Sequence, residues 1–280
     1  MAGLRKYVEA IPGRPLPHGI LTNTSTDVRD VTDEHELLGT EWLGLGCCPV
    51  NVWRDPCTDE SLGDESPGQP PKKEFCRPIA EHADPITVYS GAECSTMGWT
   101  YAEARAHAEA SLELGEQEAV EAGFWTNKLA MTAQDLTPAE GPVNIAQGVA
   151  ALEGCLAEQY GGVGTLHVPA GAAALLGCCN LAHRDPADGS LSTLAGNCII
   201  IGAGYSAMNT GPGNLPADPG TAWLYVTGPV VVRRGPTVTI PDRPGASVNI
   251  RTNDLRVLVE RSYVVATTCV VCAIQISTCV

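Results

Sequence analysis

Aromatic side chains make up 5% of this 280-residue chain, and basic residues number 17 against 32 acidic ones. The net charge of −15, spread along the chain, repels the nucleic-acid backbone over most of the surface and keeps a concentrated protein soluble. No apolar run reaches the roughly 18 residues of a membrane-spanning helix. The opening, MAGLRKYVEAIPGRPLPHGI, lacks the apolar core of a secretory leader, so synthesis in the cytosol is expected. The patterns G-x-S-x-G and H-E-x-x-H are missing too. The glycine run GGVGTLHV at Gly161 follows a helical segment and leads into a strand, the reverse of the order that a phosphate-cradling loop needs. Catalysis has no foothold in these patterns: no catalytic residue, resident metal or cofactor is expected.

Cysteine, by contrast, is plentiful, at 12 residues. A chain of this length buries roughly 75% of the surface its unfolded form exposes and needs no staples. In a reducing cytosol most of the thiols are expected to be free, packing as small hydrophobes. The stretch SYVVATTCVVCAIQIS, from Ser262 to Ser277, holds a C-x-x-C inside an apolar run rich in Val, Ile and Thr, the mark of a strand buried on both faces. Residues three apart on a strand face opposite sides, with roots about 10 Å apart. Two thiolates on one zinc each lie about 2.3 Å from it. Cys269 and Cys272 are therefore expected in the core and not as a chelate. Cys178, Cys179 and His183, in CCNLAHRD, supply three of the four ligands of a zinc site, and packing at a helix end is their simpler reading. His107 has no ligand partner nearby in sequence and reads as a surface histidine.

Organisation along the chain is uneven. The first forty residues are irregular, with Pro12, Pro15 and Pro17 followed by TNTSTDVRD, and read as an arm that lies on something else. Two extended segments, EWLGLGCCPVNVWRD and FCRPIAEHADPITVYS, flank the polar stretch TDESLGDESPGQPPKKE. A two-stranded excursion of this kind is not stable alone, which leaves a disordered insertion or a loop ordered by a neighbouring subunit. In TYAEARAHAEASLELGEQEAVEAGFW, Thr100 and Glu103 form a capping box, and Tyr101, Ala104, Ala108, Leu112, Gly115 and Ala119 form an inner stripe. Glu103, Glu109, Glu113, Glu116 and Glu121 are expected on solvated faces. A second helix is expected in NIAQGVAALEGCLAEQYGG with Ile145, Val149, Leu152 and Leu156 inward, and a third in PAGAAALLG with Pro169 in its first turn. From Thr221 onward strand follows strand. The fold class is α+β, with helices early and long strands late.

The order of these pieces, over nearly the whole chain, resembles the major capsid proteins of tailed bacteriophages, the fold named after coliphage Hong Kong ninety-seven and shared with encapsulins. The passage LSTLAGNCIIIGAGY through AWLYVTGPVVVRRGPTVTIP carries the likeness best. The resemblance implies an N-terminal arm (1–39), an E-loop (40–84), a peripheral domain with a spine helix (85–142 and 226–263) and an axial domain with a central sheet (143–225 and 264–280). It further implies a chain that assembles with itself into pentameric and hexameric capsomers of an icosahedral shell around double-stranded DNA, bound without sequence specificity. Its partners would be a separate scaffolding protein, a portal and, in some shells, a decoration protein. Its place would be the virion, assembled in the host cytoplasm, with no membrane. Lys72, Lys73 and Glu74, at the E-loop tip, are the inter-subunit contact candidates. Some relatives join an E-loop lysine to a neighbour's asparagine, but no matching asparagine environment is identifiable here. Cys57 and Cys76 bracket the tip, either as reduced thiols or as a late disulfide closing a loop of about twenty residues. Three rivals stand beside this reading: an encapsulin enclosing cargo enzymes, a cysteine- or zinc-dependent enzyme built on Cys178, Cys179 and His183, and a tail or decoration protein.

Overall fold

The computed structural model describes residue 11 and residues 13–48, 50–52, 73, 75–96, 98–246 and 248–278. Its elements run β1 (Asp27–Asp30), α1 (Glu34–Leu37), β2 (Thr40–Leu43), β3 (Ala80–Ala83), β4 (Pro85–Ser95) and α2 (Tyr101–Phe124). A π-helical turn, Trp125–Leu129, and the short α3 (Ala130–Thr132) close the long helix; β5 (Gln134–Asp135), α4 (Ile145–Gln159), β6 (Thr165–Pro169) and α5 (Ala173–Cys178) follow. Then come β7 (His183–Arg184), β8 (Leu191–Ser192), β9 (Cys198–Gly202), α6 (Ala203–Met208), β10 (Thr210–Gly211) and β11 (Leu215–Pro216). The chain ends in β12 (Thr221–Thr227), β13 (Val231–Arg234), β14 (Val238–Ile240), β15 (Val248–Asn249), β16 (Asp254–Ala266) and β17 (Val271–Ser277).

Two sheets organise these elements. In the first, β16 is the central strand, pairing with β4 along its whole length from Asp254↔Ser95 to Val264↔Pro85, and with β13, β14 and β15 on its other edge. In the second the order is β5-β17-β12-β6-β9-β8-β7. The chain passes between the sheets three times: after β4, by way of α2; after β12, which keeps Val226 and Thr227 in the second sheet; and after β16, which keeps Val264 to Ala266 in the first.

The capping box forms as the sequence implies, with Glu103 N donating to Thr100 Oγ1 at 3.2 Å and Thr100 N donating to Glu103 Oε2 at 2.7 Å. The inner stripe departs from expectation past Leu112. Glu116, Gln117, Val120, Glu121 and Phe124 are buried, whereas Ala119 is exposed. Two of the glutamates expected in solvent are thus inside, and each has a partner that makes this tolerable. Glu116 accepts from Arg261 Nη1 at 2.8 Å, and Glu121 accepts from backbone N–H groups.

The second sheet is covered on both faces, and its strands alternate between two cores. Ala222, Leu224 and Val226 of β12, with Cys272, Ile274 and Ile276 of β17, face α4 and its Val149, Leu152 and Leu156. Trp223, Tyr225 and Ala273 face the other way, into the core that Phe124 and Trp125 share with the first sheet. Period-two alternation of two apolar sets is why these strands read as unbroken apolar runs. The third helix differs from expectation: Pro169 ends β6, a 3-10 turn at Ala170–Ala172 follows, and Gly177 lies inside α5. The apolar stretch from Ser262 to Ser277 also breaks, at residues 267–270, because Cys269 takes a left-handed backbone (φ 61°) and turns the chain from one sheet into the other.

Candidate functional site

At the root of the long loop, β2 and β3 form a two-stranded ribbon with Leu43 opposite Ala80. Trp42 packs it onto Ala83, Val264 and Ala266, Lys128 pairs with Glu81 at 3.3 Å, and Gly44 N donates to Ile79 O at 2.9 Å. Beyond the ribbon the sequence GLGCC docks on the corner between the sheets. Cys47 is disulfide-bonded to Cys269, with Cα atoms 5.0 Å apart, and Cys48 to Cys76, with Cα atoms 5.6 Å apart. A side chain on Gly44 would meet Cys47 Sγ at 2.4 Å, and one on Gly46 (φ 89°) would meet the Tyr160 ring at 2.7 Å. Both glycines are therefore required by the seat.

These bonds correct the expected cysteine chemistry. Cys76 is joined to Cys48 and not to Cys57, which lies outside the described residues. The ribbon ladder ends at Leu43↔Ala80; its continued register would set Cys76 opposite Cys47, and it is the neighbouring Cys48 that bonds to Cys76 while Cys47 is taken by Cys269. Cys269 and Cys272 are bonded to separate partners, Cys269 to Cys47 and Cys272 to Cys155, and so are neither a chelate nor free thiols. Cys94, Cys178, Cys179 and Cys198 are the free cysteines among the described residues. Cys178 and Cys179 are exposed with sulfurs 3.4 Å apart, while His183 sits on the edge strand β7. Among the described residues no cluster of three His, Cys, Asp or Glu could hold a metal ion. Of the loop-tip candidates, Lys73 is exposed, and Lys72 and Glu74 lie outside the described residues.

The loop root presents an apolar surface that this chain leaves in solvent. Val50 and Phe75 are almost fully exposed, and Leu43, Leu45, Val52 and Ile79 are exposed as well. Patches of this kind mark contact surfaces. A groove on the first sheet is lined by Gly91, Ile240, Pro241, Val248 and Leu258 and by the ion pair of Arg256 with Glu93 at 2.8 Å.

The arm, expected to lie on another body, is partly docked on its own. Ile20 is fully buried, Gln117 Nε2 donates to Leu16 O at 3.0 Å, Ile201 N donates to His18 O at 2.8 Å, and Asn23 Nδ2 donates to Ile199 O at 2.7 Å. Glu121 is the pin: its Oε1 accepts from Ile20 N and its Oε2 from Gly204 N, both at 3.0 Å. Burial pushes its carboxyl up to about 7, against the opposing pull of the Ile20, Gly204 and Ala203 amides. Across Tyr205 lies His167, enclosed completely, with Nδ1 3.0 Å from Tyr205 Oη and Nε2 3.0 Å from Thr227 Oγ1; burial holds its imidazole down at about 3. Neither group was legible as buried. Glu121 falls on a glutamate-rich helix, and His167 stands alone in a short strand.

No family model matches the chain, and no curated protein matches it in sequence. Solved structures do match in fold. A chain from Microbacterium phage Oxtober96 aligns at a TM-score of 0.52 and 10% identity, covering 95% of this chain and 90% of that one. The capsid chain of a native GTA particle aligns at 0.52 and 12% identity, covering 99% and 96%. A chain from Mycobacterium phage Cain aligns at 0.50 and 10% identity, covering 92% and 90%. At such identities the likeness is one of fold, and the α+β fold is the capsid fold that the sequence resembles.

Proposed function

We propose that the protein is a structural subunit that assembles with itself into the capsomers of an icosahedral shell, acting by contact and not by catalysis. The observation that carries this reading is the end-to-end correspondence of fold with a capsid chain of known assembly, 99% of this chain against 96% of that one. Supporting it, the root of the long loop keeps Val50, Phe75 and Leu45 in solvent, where an isolated globular protein gains nothing from them. In a shell, neighbouring copies bury such surfaces, and many modest contacts add up to a stable wall.

In this assignment residues 1–39 are the arm, 40–84 the E-loop, 85–142 with 226–263 the peripheral domain and 143–225 with 264–280 the axial domain. Lys72, Lys73 and Glu74 contact a neighbour at the loop tip. Pentamers and hexamers form the shell, with a separate scaffolding protein and a portal as partners. The contents are double-stranded DNA, against which a wall of net charge −15 does not adhere. Assembly takes place in the host cytoplasm and the finished protein resides in the virion.

Negative-stain electron microscopy of the full chain, expressed alone and with a scaffolding partner, tests the reading. Closed icosahedral particles are expected, and a persistent monomer under both conditions overturns it. Particles filled with a cargo enzyme in place of DNA would convert the assignment to an encapsulin, and open tubes to a tail protein.

A further inference from the structure

Cys47 and Cys48 are adjacent, yet they are held by partners 222 and 28 residues away in sequence. Cys269 lies at the corner where the chain leaves β16 for β17, and Cys76 lies on the returning limb of the long loop. One bond fastens the loop to the junction of the two sheets, and the other fastens its two limbs to each other. We propose that these four cysteines form a redox lock on the long loop, open as thiols and closed as the pair Cys47–Cys269 and Cys48–Cys76.

Three observations carry this. First, the seat is shaped for the bond: Gly44 supplies the space that Cys47 Sγ occupies, 2.4 Å from where a Cβ would stand, and Cys269 Sγ lies 3.2 Å from the same point. Secondly, little else holds the root. Among the described residues the ribbon of β2 and β3 has four pairs, the Gly44 N to Ile79 O bond just beyond them, one small apolar cluster around Trp42 and one ion pair, Lys128–Glu81. A two-stranded ribbon of that size is marginal without further support, so covalent bonds at this point decide how firmly the loop is aimed. Thirdly, the four sulfurs are reachable. Cys47, Cys48 and Cys269 are half-buried and Cys76 is exposed, in contrast to Cys155 of α4 and Cys272 of β17, which lie in the core between that helix and the second sheet. The core pair lies outside this switch.

Closing each bond removes two protons and two electrons from two thiols. The acceptor is a low-molecular-weight disulfide such as oxidised glutathione, which is reduced to two thiols by exchange through a mixed disulfide. In the reducing cytoplasm the lock stands open, and outside the cell it closes. Placing these two states before and after shell assembly rests on the shell reading; the lock itself does not.

The test uses the purified full chain, reduced or treated with oxidised glutathione, with free thiols capped by N-ethylmaleimide before non-reducing peptide mapping. Expected in the reduced sample are caps on Cys47, Cys48, Cys76 and Cys269. Expected in the oxidised sample are the linkages 47–269 and 48–76, with amide hydrogen exchange at residues 44–48 slowed at least ~10-fold. Caps on these four residues after oxidation, other pairings, or equal exchange in the two states would each overturn the proposal. Cys269→Ser should free Cys47 to the cap and leave 48–76 intact, and Gly44→Val should do the same by filling the seat. Loss of both bonds in these variants counts against two separable linkages. Particle formation is scored on the same samples by microscopy, so absence of shells refutes the shell reading without touching the thiol map.

Discussion

Glu121 and His167 flank Tyr205, and their proton linkages oppose one another. In the unfolded chain Glu121 returns to its ordinary value of 4.5, whereas in the fold it keeps its proton up to about 7. Stability therefore falls as pH rises from 4.5 to 7. His167 works the other way: the unfolded imidazole gains a proton below 6.5, and the folded one refuses it down to about 3. Stability therefore falls as pH drops below 6.5. Between pH 7 and pH 5 the glutamate contributes a gain of about 2 kcal/mol and the histidine a loss of about 2 kcal/mol. The two nearly cancel in the native protein and are unmasked singly. Glu121→Gln should lose about 2 kcal/mol more than the parent over this interval, and His167→Gln should gain about 2 kcal/mol relative to it. Urea midpoints of unassembled full chain at pH 5, 6 and 7 read the difference, and surface carboxylates drop out because they are common to all three proteins. Each substitution also carries a constant cost, since a glutamine amide at 121 turns a donor towards the Ile20 or Gly204 amide, but that cost does not alter the slope. Parallel pH profiles for parent and variants would refute the reasoning.

Two further substitutions probe the packing that positions the arm and the long helix. Gly204→Ala places a Cβ 2.1 Å from Glu118 O and 2.6 Å from Ala122 N, both backbone atoms of α2, so α6 must move; a loss of about 1–3 kcal/mol is expected by thermal or urea unfolding, and an unchanged midpoint would show that the contact yields freely. Thr100→Ala removes the acceptor at the start of α2 and should cost about 1 kcal/mol in the same assay, with Thr100→Ser close to the parent.

How much of this was legible in the sequence depended on how local each signal is. The start of α2 was readable because Thr100 and Glu103 act within one turn, and the inward face of α4 because Ile145, Val149, Leu152 and Leu156 repeat at helical spacing. The drift of the α2 stripe onto Glu116 and Glu121 was not, since what makes room for them is Arg261 and the amides of Ile20 and Gly204, between 83 and 145 residues away. The cysteine pairs were hidden for the same reason, because partners 117 and 222 residues apart are chosen by topology alone. The break at Cys269 left no mark: the apolar pattern runs straight through it, and the left-handed residue is neither glycine nor asparagine.

The seven-stranded sheet ends at both margins in strands of two residues, Gln134–Asp135 and His183–Arg184. A margin that short gives an incoming chain too few free N–H and C=O groups to extend the ladder. Through this sheet, then, one copy of the chain cannot extend another by its backbone; the longer margin is β4 of the first sheet, eleven residues paired with β16 alone among the described strands. The stunted margins thus close the seven-stranded sheet to backbone extension and leave that possibility to the first sheet.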